Sequence, residues 1–376
     1  QIRKRNELKP ANLPYSSKLP VELLASVFNE VTNSYKFYWF LAILEYVKRG
    51  RQQITIHDLI IEMIGEVWYP INYFRLSFGK WDRFDRAAQN IQELLGCSKE
   101  IKKKELIELL NENKSKPEIK QLITNLRRYV PMRFLTPWFR NELRGMKDQE
   151  KDSTIVKLAE QYFSIGKYVP YRFTDNQRAI EIDPHWFDYF SKHLSILAGF
   201  TEWHLVNFLQ KNNPNVPNIP VKLFPPEKRD FKHAQKFWNL YFTSNTHVYC
   251  IYSGKELTKA DYSLDHFLPW SFVGHDQLWN LIPPLHEVNS SKSDQLPAEQ
   301  YLDHFARLQY EALQLALNSN AVTNKALEDY TNLFQKNMNE LSQMNPTHFS
   351  KHLKDVIHPL MQVAVNMGFG EGWRYV

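Results

Sequence analysis

The chain has 376 residues, 43% hydrophobic and 14% aromatic, which supplies enough apolar side chain for packed cores and excludes general disorder. Two cysteines, Cys97 and Cys250, exclude a disulfide framework and a four-cysteine zinc site, so a reducing, cytoplasmic setting is expected. The net charge of +6 admits a nucleic-acid partner without requiring one, and the lack of an apolar run of about 18 residues gives no reason to expect a membrane.

The opening QIRKRNELKP is basic but leads into no apolar core with a cleavage site, so no secretion signal is read there. Residues 1–165 read as a helical domain. SYKFYWFLAILEYVKRG is apolar all round the helical wheel, which predicts a buried helix stopped by Gly50, with Tyr35, Phe37, Tyr38, Trp39 and Phe40 in a core. ITIHDLIIEMIGEVWY, with apolar residues three and four apart, predicts a helix ending before Pro70. DRFDRAAQNIQELLG and KKKELIELLNENK read as amphipathic helices, and Cys97 as a small hydrophobe.

Positive charge concentrates between Lys120 and Lys147, where seven cations face the single acid Glu142. RRYVPMRFLTPWFRNELRG interleaves Arg127, Arg128, Arg133, Arg140 and Arg144 with Tyr129, Phe134, Trp138 and Phe139. Two readings stand. Arginines on phosphates with aromatics stacked on bases would make Arg127, Arg128, Arg133 and Arg140 substrate-binding residues. A helix pair with its aromatics in a core and its arginines in water or paired with acids fits equally well.

Around residues 168–182, YRFT and AIEI flank TDNQR and predict a hairpin. Asp183 then caps a helix with Pro184 in its first turn, running through HWFDYFSKHLSILAGFTEWHLVNFLQK, so residues 166–212 continue the N-terminal region. Residues 213–230, rich in Pro and Asn, read as a linker. Residues 231–376 form the second domain: a short helix near 231–240, a compact motif region at 246–297, helices to about 366, and an irregular tail, MGFGEGWRYV.

HVYCIY and DYSLDHF are β-type stretches with Ser253-Gly254-Lys255 among the turn residues between them, predicting a hairpin that sets Asp265 and His266 at a strand end. LDHFLPW alone admits either a buried turn with two polar residues or a reaction centre. Asn280 follows His266 by 14 positions, in WNLIP, and Asn289 follows 9 later, opening NSSKSD as a helix start. Together the four polar residues favour the reaction centre. A neutral histidine can take a proton from water near pH 7. A carboxylate and an amide oxygen are hard ligands of the kind Mg²⁺ uses, beside its waters and a substrate phosphate.

This order and its strand–loop–helix setting resemble the HNH endonucleases of the His-Me finger (ββα-metal) class, over about residues 246–297. The helical patterns along the chain make the protein mainly α, and the resemblance implies a C-terminal ββα-metal nuclease module embedded among those helices. It implies metal-dependent hydrolysis of phosphodiester bonds, in DNA rather than RNA, leaving 5′-phosphate and 3′-hydroxyl ends. By the same resemblance His266 is the general base, Asn280 holds the His266 loop, and Asp265 with Asn289 binds Mg²⁺ or Mn²⁺. Lys292 is a candidate phosphate contact, and the helix N-terminus after Asn289 adds N–H donors.

Many members of that family frame the site with two Cys-x-x-Cys pairs around a structural zinc. Here Ser253 stands where the partner of Cys250 would be, and Leu285, His286, Glu287 and Val288 fill the second position. With only His247 and His286 as further ligand types, a structural zinc is not expected. Packing by Tyr249, Phe267, Trp270, Trp279 and Leu281 is expected to hold the finger instead. His275 and Asp276 read as caps of the WNL segment, and His286 and Glu287 as surface residues. Family habit adds bacterial restriction or phage defence with a regulatory or sensor protein as partner. The alternatives are a ribonuclease toxin using the same site and a non-catalytic subunit that binds nucleic acid or protein.

Overall fold

The first long helix, α1 (Tyr35–Lys48), buries Phe37, Tyr38, Trp39 and Phe40 because its sequence leaves no polar face, and Gly50 ends it with a positive φ of 74°. The computed structural model describes residues 13–128, 130–226, 229–319 and 322–376. The basic opening segment, Tyr129 and part of the Pro/Asn-rich stretch lie outside them. The protein is mainly α, with seven short strands among the described residues. It divides into two compact units, one running to Pro214 and including Leu223–Pro225, the other made of Asn215–Lys222 and Pro226–Val376.

In the first unit, strand β1 (Gln53–Thr55) leads into α2 (Ile56–Trp68), whose N-terminus is capped by the Thr55 hydroxyl accepting from the Asp58 amide at 3.0 Å. The chain passes Pro70 rather than stopping before it, as a π-helical turn over Tyr69–Tyr73. A proline at the start of such a turn leaves no N–H unpaired. Helices α3 (Phe84–Leu95), α4 (Lys103–Glu112), α5 (Pro117–Leu126) and α6 (Asp148–Ser164) follow.

Strands β2 (Tyr171–Thr174) and β3 (Ala179–Ile182) form the hairpin, and β1 adds to it antiparallel, with Ile54 opposite Ile180. Asp183 caps α7 (Pro184–Lys192) by accepting from the His185 and Trp186 amides. The single helix expected next is two. The backbone leaves helical geometry at His193 before α8 (Leu194–Asn212), which lets Trp186 and Phe190 on one side and Leu197 and Leu205 on the other both turn inward.

The second unit opens with Lys222 wholly buried, its ammonium donating to the carbonyls of Pro217 and Phe272. Helix α9 (Lys232–Ser244) precedes two small antiparallel pairs, β4 (Val248–Tyr249) with β5 (Glu256–Leu257), and β6 (Asp265–His266) with β7 (Leu281–Ile282). The partner of the Asp265-His266 strand is therefore the segment after Asn280, not HVYCIY. Between β6 and β7 run a helical turn, α10 (Trp270–Val273), ended by Gly274 at φ 67°, and a 3₁₀ turn at Leu278–Asn280.

Helix α11 (His286–Lys292) begins before the start that NSSKSD suggests. Pro283 and Pro284 bar a helix before them, and extended Leu285 releases the chain into one directly after. Asn289 is thus mid-helix, and no helix N-terminus follows it.

Helices α12 (Leu302–Leu317), α13 (Asn324–Phe334) and α14 (Pro346–Asn366) carry the finger. Phe305 on α12 stacks under Phe267 at 4.0 Å. One turn on, buried Gln309 donates to the carbonyls of Leu278 and Leu281 and accepts from the Tyr330 hydroxyl. The tail is not free of structure: Leu296 donates to Gly370, while Trp373 and Leu296–Ala298 exchange backbone bonds. Trp373 and Tyr301 meet Tyr252 edge-on at 5.1 and 5.0 Å, beside buried Cys250. Of the five residues expected to hold the finger, four are buried, but Tyr249 is 54% exposed and Tyr252 packs inward instead.

Candidate functional site

Asp265 and His266 occupy adjacent positions of β6, opposite Ile282 and Leu281, and both are buried. Alternation along the strand sends their side chains to opposite faces. Asn280, with no exposed surface, clamps the chain after His266: its Oδ1 accepts from the Leu268 amide at 2.8 Å and its Nδ2 donates to the Leu268 carbonyl at 2.9 Å. The Phe267 amide donates to the Asn280 carbonyl at 2.8 Å, so the ladder continues past the strand.

The His266 imidazole meets a residue whose place in the sequence suggests only a cap. Its Nε2 lies 2.8 Å from Oδ1 of Asp276. His275 does cap, accepting from the Gln277 amide at 3.3 Å, and burial pushes its pKa down to about 4. Burial also holds the His266 pKa below the ordinary histidine value, against the opposing pull of Asp276. His266 is therefore neutral at pH 7. With an Nε2 proton donated to the carboxylate, Nδ1 carries the free lone pair.

Asp265 makes different contacts. Its Oδ2 accepts from the Tyr252 hydroxyl at 3.0 Å, and its Oδ1 lies 3.1 Å from Nζ of Lys292. Lys292 is wholly buried and also donates to the His266 carbonyl at 2.7 Å. The expected phosphate contact thus points inward, because Lys292 ends α11 on the face turned to β6. Asn289, one turn earlier, donates through Nδ2 to the Ser263 hydroxyl at 3.0 Å and the Leu264 carbonyl at 3.2 Å. Its Oδ1 accepts no hydrogen bond among the described residues.

Among the described residues no group of three or more His, Cys, Asp or Glu side chains could hold a metal ion. The donor set nevertheless fits a hard divalent cation of the kind that keeps most of its waters and takes only one or two carboxylates. It offers one carboxylate oxygen and one open amide oxygen, on residues linked through the Leu264 carbonyl. The Lys292 ammonium between Asp265 and the His266 carbonyl already marks a seat for positive charge. Of the other cysteine and histidines of the finger, Cys250 is buried, His247 pairs with Glu256 at the surface, and His286 is exposed.

Residues 250–298 match the HNH endonuclease family model. Neither a curated protein nor a solved structure matches the chain. The HNH segment holds Asp265, His266, Asn280, Asn289 and Lys292, and points to nuclease activity and nucleic-acid binding.

The other expected substrate-binding residues lie in the first unit. Arg127, Arg128 and Arg140 are exposed there, but Arg133 is tied to Asp148 at 2.8 Å and to Asp152. Phe134, Trp138 and Phe139 are buried, so these aromatics offer no stacking surface. No helix among the described residues is long and apolar enough to cross a membrane.

Proposed function

We propose that the protein is a divalent-metal-dependent endonuclease that hydrolyses phosphodiester bonds in DNA, with His266 as general base and Asp265 and Asn289 as ligands of Mg²⁺ or Mn²⁺. The observation that carries the reading is the buried, neutral imidazole of His266 held by Asp276, on the strand that also carries the Asp265 carboxylate with its Lys292 ammonium. Nδ1 of His266 takes the proton of an attacking water, and Asp276 keeps the ring in the tautomer and orientation for that transfer. Tyr252 fixes the Asp265 carboxylate through Oδ2 and Lys292 holds Oδ1; a divalent cation would take that oxygen and the Asn289 amide oxygen as its two hard protein donors. Asn280 keeps the backbone after His266 from shifting the imidazole. A bound divalent cation supplies charge neutralisation for the phosphoryl and leaving oxygens.

Incubation of the chain with Mg²⁺ and labelled duplex DNA, single-stranded DNA and RNA tests this reading. Metal-dependent cutting of DNA supports it, and cutting of RNA alone supports the ribonuclease toxin. Cleavage of neither, with binding unchanged in His266→Ala, supports the non-catalytic subunit. A role in bacterial restriction or phage defence under a sensing partner belongs to the same proposal, since an unrestrained nuclease harms its host. It falls if the purified chain cuts DNA freely and its host tolerates overexpression.

A further inference from the structure

We propose that Arg229, Lys232 and Lys236, at the start of α9, form the track along which a nucleic-acid backbone is led to His266; this rests on the nuclease reading of that site. The ring of Phe231, the N-cap of α9, lies 5.9 Å from the His266 imidazole. Two turns along, Asn239 accepts from the Tyr262 hydroxyl at 3.4 Å, and Phe242 stacks on Tyr262 at 4.8 Å. One edge of the helix therefore runs beside the chain that enters β6.

The direction of the charges follows from the helical period. Ala234, Phe237, Trp238 and Tyr241 are buried, so residues 232 and 236, one turn apart, face away from the core. Both lysines are exposed. Lys232 is 84% exposed and has Asp230 at 3.4 Å, while Lys236 forms no ion pair among the described residues. The Arg229 guanidinium lies 5.0 Å from the Trp270 ring, on the residue that opens the turn after the His266 loop. Its charge is among those that hold the His266 pKa down.

Phe231 and Arg229 bring the start of this track to the candidate reaction centre. A polyanion lying along the track would bring its linkages to the imidazole, which selects a phosphodiester chain over an acidic peptide. Neutralising each phosphate releases condensed counterions, so binding through this track must weaken with salt.

The test uses the full chain carrying His266→Ala, which preserves the probe, and fluorescence anisotropy with two labelled duplexes of unrelated sequence over a series of KCl concentrations. Arg229→Ala/Lys236→Ala should weaken binding equally for both duplexes and make the slope of log K against log salt shallower by about 0.9 for each phosphate left without its cation. Lys325→Ala/Lys351→Ala, at exposed positions of the same unit, should bind unchanged. Arg229→Gln/Lys236→Gln repeats the measurement should the alanine pair unfold. Unchanged affinity and slope in the track variants, an equal loss in the control pair, or equal competition by polyglutamate would overturn the proposal. Separately, wild-type chain that cuts neither DNA nor RNA while the binding difference stands removes the nuclease reading and leaves the track.

Discussion

The ammonium of Lys292 lies 3.1 Å from the Asp265 carboxylate, with Lys292 wholly shielded from water. A cation entering beside Asp265 must displace that ammonium or share the carboxylate with it. Lys292→Ala leaves Asp265 buried with only the Tyr252 hydroxyl, a loss of about 3–5 kcal/mol for one partner of a buried pair. Thermal unfolding should show this variant less stable, and Mg²⁺ or Mn²⁺ should raise its Tm by more than that of the wild type. Metal that stabilises the wild type alone would contradict the shared seat.

The contact between Asp276 and His266 makes a second claim. Asp276→Ala should lower kcat by about 10–100-fold, part of the 10²–10⁴ a positioned general base contributes, with KM and metal half-saturation unchanged. The wild-type rate should fall on acidification only below the ordinary histidine pKa of about 6.5, because burial favours the neutral ring. Asp276 opposes that shift, so its removal moves the acid limb still lower. A variant with wild-type kcat would reduce Asp276 to a surface partner.

Asn280→Ala strands the buried Leu268 amide and carbonyl, at about 1–3 kcal/mol for each unsatisfied group. Denaturant unfolding should register the loss. Cleavage should weaken through kcat, with the metal concentration for half-maximal activity unmoved.

How far these contacts are legible in the sequence depends on how the chain brings them together. Asp265 and His266 are neighbours, and Asn280 stands at a spacing a strand, loop and strand can close. The link from His266 to Asp276 is hidden, because it needs the α10 turn and the reversal at Gly274 to fold the loop back. The glycine that ends that short turn is the available signal. NSSKSD reads as a helix start since Asn and Ser are good caps, yet the Pro-Pro pair upstream sets the start at His286. Lys292 looks solvated by type, and only its place one turn after Asn289 on a short helix turns it inward. The helical character of the chain is plain from its apolar periodicity. The charge run at 120–147 leaves two readings open in the sequence, because spacing alone does not say which way its side chains turn. Phe134, Trp138 and Phe139 serve a core and Arg133 serves two aspartates, while Arg127, Arg128 and Arg140 stay exposed.

Lys222 gives a pH signature of the fold. Its burial lowers the pKa from 10.5 to about 7, so between those values the unfolded chain binds more protons than the folded one. Stability through this group therefore rises with pH across that window, by up to about 1.4 kcal/mol per unit. Lys222→Met should flatten the rise in Tm across the same window. Parallel profiles for variant and wild type would mean that the ammonium stays charged on its two carbonyls.

The most direct measurement is single-turnover cleavage of a labelled duplex in Mg²⁺ by the wild type and by His266→Ala, with binding followed by anisotropy. Loss of the imidazole should slow cutting by about 10²–10⁴ while leaving affinity unchanged. Cutting by the variant at the wild-type rate would contradict His266 as the base.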